Sequence, residues 1–97
     1  MYKRQRKGLI KLMVIHVLAA EADLSSASNV GNATLVRLYN GHSAVSVITR
    51  KDSGGTTIGS FTVTVGAVEV IQKDATDTLT ASAGGSSIKV SKIGFTR

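Results

Sequence analysis

From Ala44 to Val65 the chain reads AVSVITRKDSGGTTIGSFTVTV, and the architecture turns on this stretch. Two alternating runs, Ala44–Arg50 and Thr57–Val65, flank the polar loop Lys51-Asp52-Ser53-Gly54-Gly55. Successive side chains on a strand point to opposite faces. Val45, Val47 and Thr49 therefore oppose Ala44, Ser46, Ile48 and Arg50, and Phe61, Val63 and Val65 oppose Ser60, Thr62 and Thr64. Val, Ile, Thr and Phe suit a pleated, half-buried surface, and the glycine pair permits a reversal, so the stretch predicts a β-hairpin.

The same grammar extends both ways. Downstream, Gly66-Ala67 turns into a strand at Val68–Lys73, Asp74–Asp77 makes a corner, and a strand spans Thr78–Ser82. Gly84-Gly85 turns again before a strand at Ser87–Phe95. Upstream, a strand at Thr34–Tyr39 ends at Asn40-Gly41, the dipeptide best suited to a two-residue hairpin turn. The polar loop EADLSSASNVGN separates it from a first strand at Leu9–Leu18. Helix is confined to a single turn within Ala19–Ala27, with Asp23 or Ser25 as its cap, too short to hold on its own. Serine and threonine supply 21 of the 97 residues, which fits strand faces and turns. Turn signals every 8–12 residues with period-2 runs define the expectation: an all-β, single small antiparallel β-sandwich of about seven strands. Its domain covers residues 9–97, behind a basic N-terminal arm, residues 1–8.

The expected core is Val36, Leu38, Val45, Val47, Phe61, Val63, Val65, Val70 and Leu79. Two features break the pattern. Leu35 and Tyr39 lie on the otherwise polar face of their strand, which marks them as candidates for a subunit interface and predicts a homo-oligomer or a partner-bound state. The last strand changes phase between Ile88/Val90 and Ile93/Phe95, which predicts a bulge near Ser91-Lys92.

Length and composition bound the rest. Ninety-seven residues support one modest core. With no cysteine there is no disulfide framework, thiolate nucleophile or Cys-ligated metal. Four aromatics (Tyr2, Tyr39, Phe61, Phe95) are too few to stack along a nucleic-acid strand.

The net charge of +6 is localised. Lys3, Arg4, Arg6, Lys7 and Lys11 precede the first acid, Glu21; beyond residue 12, seven basic residues face six acidic ones. The body is nearly neutral and the basicity belongs to the arm. Such an arm meets an anionic partner, whether nucleic acid, a membrane surface or an acidic protein patch, or it is a solvated tail. Lys3, Arg4, Arg6, Lys7, Leu9, Ile10 and Lys11 are therefore the candidate attachment residues, the cations pairing with carboxylates and Leu9–Ile10 adding edge-strand contacts. The outline of a signal peptide fails because Lys11 and His16 interrupt the apolar run, and no stretch approaches the length of a membrane span. Met13 opens MVIHVLAAEADL, a natural start of its own, so the first twelve residues read either as an arm or as an upstream extension.

Chemistry-bearing constellations are sparse. His16, mid-strand among Val and Ile, reads as a buried, hydrogen-bonded side chain, and His42 in a turn as a solvated one. Their separation and the lack of Cys do not make a zinc site. Asp74-x-x-Asp77 reads as turn capping rather than as a calcium loop, which needs six to eight oxygens. No nucleophile elbow or phosphate-cradling loop occurs. The expectation is a protein without catalytic, cofactor-binding or metal-binding residues.

The segment ATLVRLYNGHSAVSVITRKDSGGTTIGSFTVTVGAVEVIQKDATDTLTAS, within Met13–Phe95, resembles small β-sandwich virion structural proteins of tailed bacteriophages, particularly cyanophages. The likeness lies in turn and strand patterns rather than catalytic signatures, and the basic extension before Met13 departs from it. The resemblance implies a non-enzymatic virion component, foremost a capsid decoration (cement) protein on the major capsid protein. The alternatives are a neck, tail or fibre accessory and, from a different class, a small basic nucleic-acid-binding protein acting through the arm alone.

Overall fold

Asp52 shows why the decisive hairpin forms. Its carboxylate accepts the N–H groups of Gly54 and Thr56, both at 2.9 Å, while Gly55 supplies a φ of 89°. That loop joins β4 (Ser46–Lys51) to β5 (Thr57–Val63) as an antiparallel pair with Ile48 opposite Phe61. The register shifts between Arg50 and Lys51, leaving Ile58 as the extra residue on β5.

The structure is a computed structural model that describes residues 14–95. The remaining strands are β1 (Ile15–Val17), β2 (Ala22–Asp23), β3 (Leu35–Asn40), β6 (Val68–Gln72), β7 (Thr78–Ala81) and β8 (Ile88–Phe95), with a 3-10 turn at Gly85–Ser87. One sheet runs β1-β8-β3-β6, with β2 also on the β1 side of β8; the other runs β5-β4-β7, and Ser28 bridges Leu79 beyond β7. Every pairing is antiparallel. The protein is all-β, two facing antiparallel sheets in the manner of a small sandwich. Among the described residues, no helix is long and apolar enough to cross a membrane.

Leu24, Ala33, Val36, Leu38, Ile48, Val63, Leu79, Ile88 and Val90 form the core between the sheets. Each fully buried Leu, Ile or Val contributes about 1.5–3 kcal/mol. Val36, Leu38, Val63 and Leu79 are buried as expected, and Phe61 is half-buried against this cluster.

Other sequence expectations are corrected. On β4 the inward face is Ser46 and Ile48; Val45 precedes the strand and is exposed, and Val47 is half-buried. On β6 the inward parity belongs to Glu69 and Ile71, opposite Leu38 and Val36, so Val70 points outward. Val65 lies beyond the end of β5 and is exposed. Polar side chains are admitted inward where backbone groups converge on them. Ser46 Oγ donates to the Ala83 carbonyl at 2.8 Å. Lys73, just past β6, donates from its ammonium to the carbonyls of Asn29, Asp74 and Ala75 at 2.9, 3.2 and 3.3 Å.

Asn40-Gly41 is not a hairpin turn. It carries the chain from β3 across to β4 in the other sheet, and neither residue has the positive φ that a type I′ turn requires. Asn40 is fully buried, and its amide donates to the carbonyls of Ala44 in the connection and Val63 in that sheet at 3.2 and 2.9 Å. A Cβ at Gly41 would stand 2.9 Å from the Ser87 carbonyl oxygen, so glycine serves close approach there. The expected bulge in β8 is also relocated. The register of β8 on β3 is unbroken from Ile88 to Lys92; the irregularity belongs to the opposite edge, where residues 18–21 span the gap between β1 and β2. His16 is exposed on β1 rather than buried, and His42 is half-buried over Gly84, so neither matches its expected environment.

Candidate interaction surface

The outer face of the larger sheet gathers apolar side chains that the core does not use. Register places Tyr39 beside Val68 and Arg37 beside Val70, with Leu35 beside Gln72. Tyr39, Val68 and Val70 are 37%, 45% and 43% exposed, a contiguous apolar row on the outside of two neighbouring strands. On β8 the same parity carries the half-buried Lys89 and the buried Ser91 and Ile93, and beyond them Ile15, Val17 and Phe95 are exposed on the β1 side. Contiguous exposed apolar surface is the material from which protein contacts are built, once its area is large enough. Arg37 crosses the middle of the row, 4.0 Å from Glu21, an exposed pair of small energetic weight.

Leu35 and Tyr39, the interface candidates from sequence, do share this face: Tyr39 is exposed and Leu35 half-buried. Val68 and Val70 were missed as surface residues because V-E-V-I-Q supports either phase, and the apolar residues favour the wrong one. The arm candidates Lys3, Arg4, Arg6, Lys7, Leu9, Ile10 and Lys11 lie outside the described residues.

A polar cluster closes the end of the sandwich near the Asp74–Asp77 corner. Arg50 donates from Nε and Nη2 to Asp77 Oδ2 at 2.7 and 2.6 Å, and the Asp74 N–H reaches the same oxygen at 3.1 Å. Burial works to raise the Asp77 carboxyl, but the Arg50 hydrogen bond, the Asp74 N–H and the two nearby cations outweigh it and hold it below the ordinary carboxylate range. Burial pushes the Lys73 ammonium down, against the pull of Asp77. Lys73 also ties down a loop in which Val30, Gly31 and Asn32 all have left-handed φ, at 54°, 63° and 59°, and Lys92 donates to its Gly31 carbonyl at 3.1 Å. For a β-branched residue that φ is strained, and the Ser28 hydroxyl, which accepts the Val30 N–H at 3.0 Å, helps to hold it. These groups bond to one another and to the backbone, and among the described residues no buried side-chain polar atom lacks a partner.

A slot of about 210 Å3 opens between β5 and β6, lined by Ile58, Phe61, Ile71 and Leu79 with Arg50 at its end. No group of three or more His, Asp or Glu among the described residues is placed to hold a metal ion. No protein family, no curated protein and no solved structure matches the chain.

Proposed function

We propose that the protein is a non-enzymatic structural component of a phage virion, a capsid decoration protein that binds the major capsid protein through the outer face of its larger sheet. The observation that carries a binding role is the exposed row of Tyr39, Val68 and Val70. The virion assignment is supported by the resemblance of the segment from Ala33 to Ser82 to phage β-sandwich proteins. A flat sheet face suits a broad protein surface, and a stable contact needs about 800 Å2 from each partner. The basic arm adds a second, salt-sensitive attachment to carboxylates on a neighbouring subunit.

Co-sedimentation with purified capsids tests this reading. The full chain is expected to pellet with capsids, and the Tyr39→Glu, Val68→Lys double variant to remain in the supernatant while keeping its strand circular dichroism. Pelleting with tails rather than heads would transfer the role to a neck, tail or fibre accessory. The concentration of five cations ahead of Glu21 favours a second reading, sequence-blind nucleic-acid binding through the arm. That reading predicts retention on duplex DNA with no preference for capsids, falling steeply with salt.

A further inference from the structure

The least protected feature of the fold is the free edge of β5. Among the described residues nothing pairs with the side of β5 that faces away from β4. The strand, Thr57-Ile58-Gly59-Ser60-Phe61-Thr62-Val63, carries no charge and no proline. Charges, prolines and bulges are the devices by which edge strands avoid pairing with another chain. Here the one such device is the extra residue Ile58, which leaves Gly59–Val63 as a regular edge. The β6 edge of the other sheet differs in carrying a charged side chain, the exposed Glu69. Beside the free β5 edge lies the apolar slot of about 210 Å3. A Cβ on Gly59 would meet nothing within 4 Å, so a side chain can be added there without a clash.

The chain carries its own candidate occupant. Residues 9–13, Leu-Ile-Lys-Leu-Met, follow four of the five arm cations, include the fifth, Lys11, and lie outside the described residues. We infer that this segment of one copy adds as a strand to the free edge of β5 in a second copy, seating apolar side chains at the slot while the preceding cations meet exposed carboxylates near it. Asp74, with a side chain 84% exposed, sits 3.9 Å from the Arg50 guanidinium that lines the slot. Arg50 and Lys73 are engaged by Asp77 and by backbone carbonyls, which leaves Asp74 and the exposed Glu69 of β6 open to further cations.

Geometry selects a second copy over the same chain. Only Val14 separates residue 13 from β1, and two residues of extended chain span about 7 Å. The slot lines β5 up against β6, and β6 is three strands from β1. The chain's own β5 is therefore roughly 14 Å across one sheet and about 10 Å away in the next. Residues 9–13 reach the β5 of a neighbour that packs at the start of β1, not their own. The inference stands apart from the capsid assignment, because its variants lie away from the Tyr39 row.

Sedimentation velocity over a concentration series, read together with hydrogen exchange at Gly59–Val63, tests it on the full chain. The wild type is expected to self-associate, to gain protection at those amides as concentration rises, and to lose both with added salt. Gly59→Lys, at a position with open space, and Ile10→Asp in the arm are each expected to weaken self-association by about tenfold or more. A synthetic peptide of residues 1–13 is expected to restore β5 protection in the Ile10→Asp variant. A wild type that stays monomeric at every concentration overturns the inference, as do oligomers that survive both substitutions. It is equally overturned if the β5 amides are protected independently of concentration, which would place the arm on its own chain, or only when capsids are present, which would make the added strand a capsid segment.

Discussion

At the scale of single residues, the informative side chains are the polar ones that face inward. Asp77 is only 3% exposed at its side chain, yet the Arg50 contacts keep it ionised, with its carboxyl below the ordinary value of 3.8. A carboxyl with a depressed folded pKa adds stability that is fully present above the unfolded value and disappears as pH falls through the folded one. The Tm of the wild type is therefore expected to fall as pH drops below about 4, part of that fall coming from Asp77. Asp77→Asn is expected to melt lower at pH 7 and to show a shallower acid dependence; parallel melting curves from pH 7 to pH 2 check it. Equal slopes for the two proteins would mean that the Arg50–Asp77 contact is not held in solution. Glycine acts at this scale too. Gly84 combines a φ of 63° with a position whose Cβ would run into the His42 ring, so both backbone and space demand it.

At the scale of elements, β6 and its neighbour β3 decide which face is core. Leu38 and Val36 point inward opposite Glu69 and Ile71, while Tyr39 and Arg37 point outward opposite Val68 and Val70. The two faces of this ribbon look alike in hydropathy and differ in energetics. Leu38→Ala empties a fully buried position and is expected to cost about 2–5 kcal/mol. Val70→Ala trims an exposed one and is expected to cost less than about 1 kcal/mol. Urea unfolding of the two variants checks the pair, and a reversal of the order would reverse the face of β6.

At the scale of the whole molecule, connectivity dominates. β4 and β5 are the only consecutive strands that pair among the described residues; the other pairings join β3 to β6 and β8, β4 to β7, and β8 to β1 and β2. Chain closure must precede nearly every stabilising contact, and folds built this way refold on the scale of milliseconds to seconds. Stopped-flow refolding is expected to give a rate of about 0.1–100 per second for the isolated subunit. A rate above about 10,000 per second would contradict a sheet order dominated by distant strands. The same connectivity places β5 at the edge of one sheet and β1 at the edge of the other.

The sequence by itself determined that the chain is all-β, where its longer strands lie, and that its basicity sits in the first eleven residues, because alternation, turn residues and charge are local properties. The β4–β5 hairpin was legible for the same reason, since Asp52 and Gly55 close it within a few residues. The crossing at Asn40-Gly41 was not legible: that dipeptide turns the chain equally well between neighbours or between sheets, and the choice is made by the Ala44 and Val63 carbonyls that receive the Asn40 amide. Nor did V-E-V-I-Q-K declare its inner face. Lys73 can lie inside only because the carbonyls of Asn29, Asp74 and Ala75 surround its ammonium, and Asn29 comes from a loop 44 residues away. Of the candidate surface, Leu35 and Tyr39 stood out in the sequence as apolar residues in outward phase. Val68 and Val70 joined them only once register set β6 beside β3. Hydropathy assigns a residue to one of two faces, but the partner strands and the carbonyls that can satisfy its polar neighbours decide which of the two is buried.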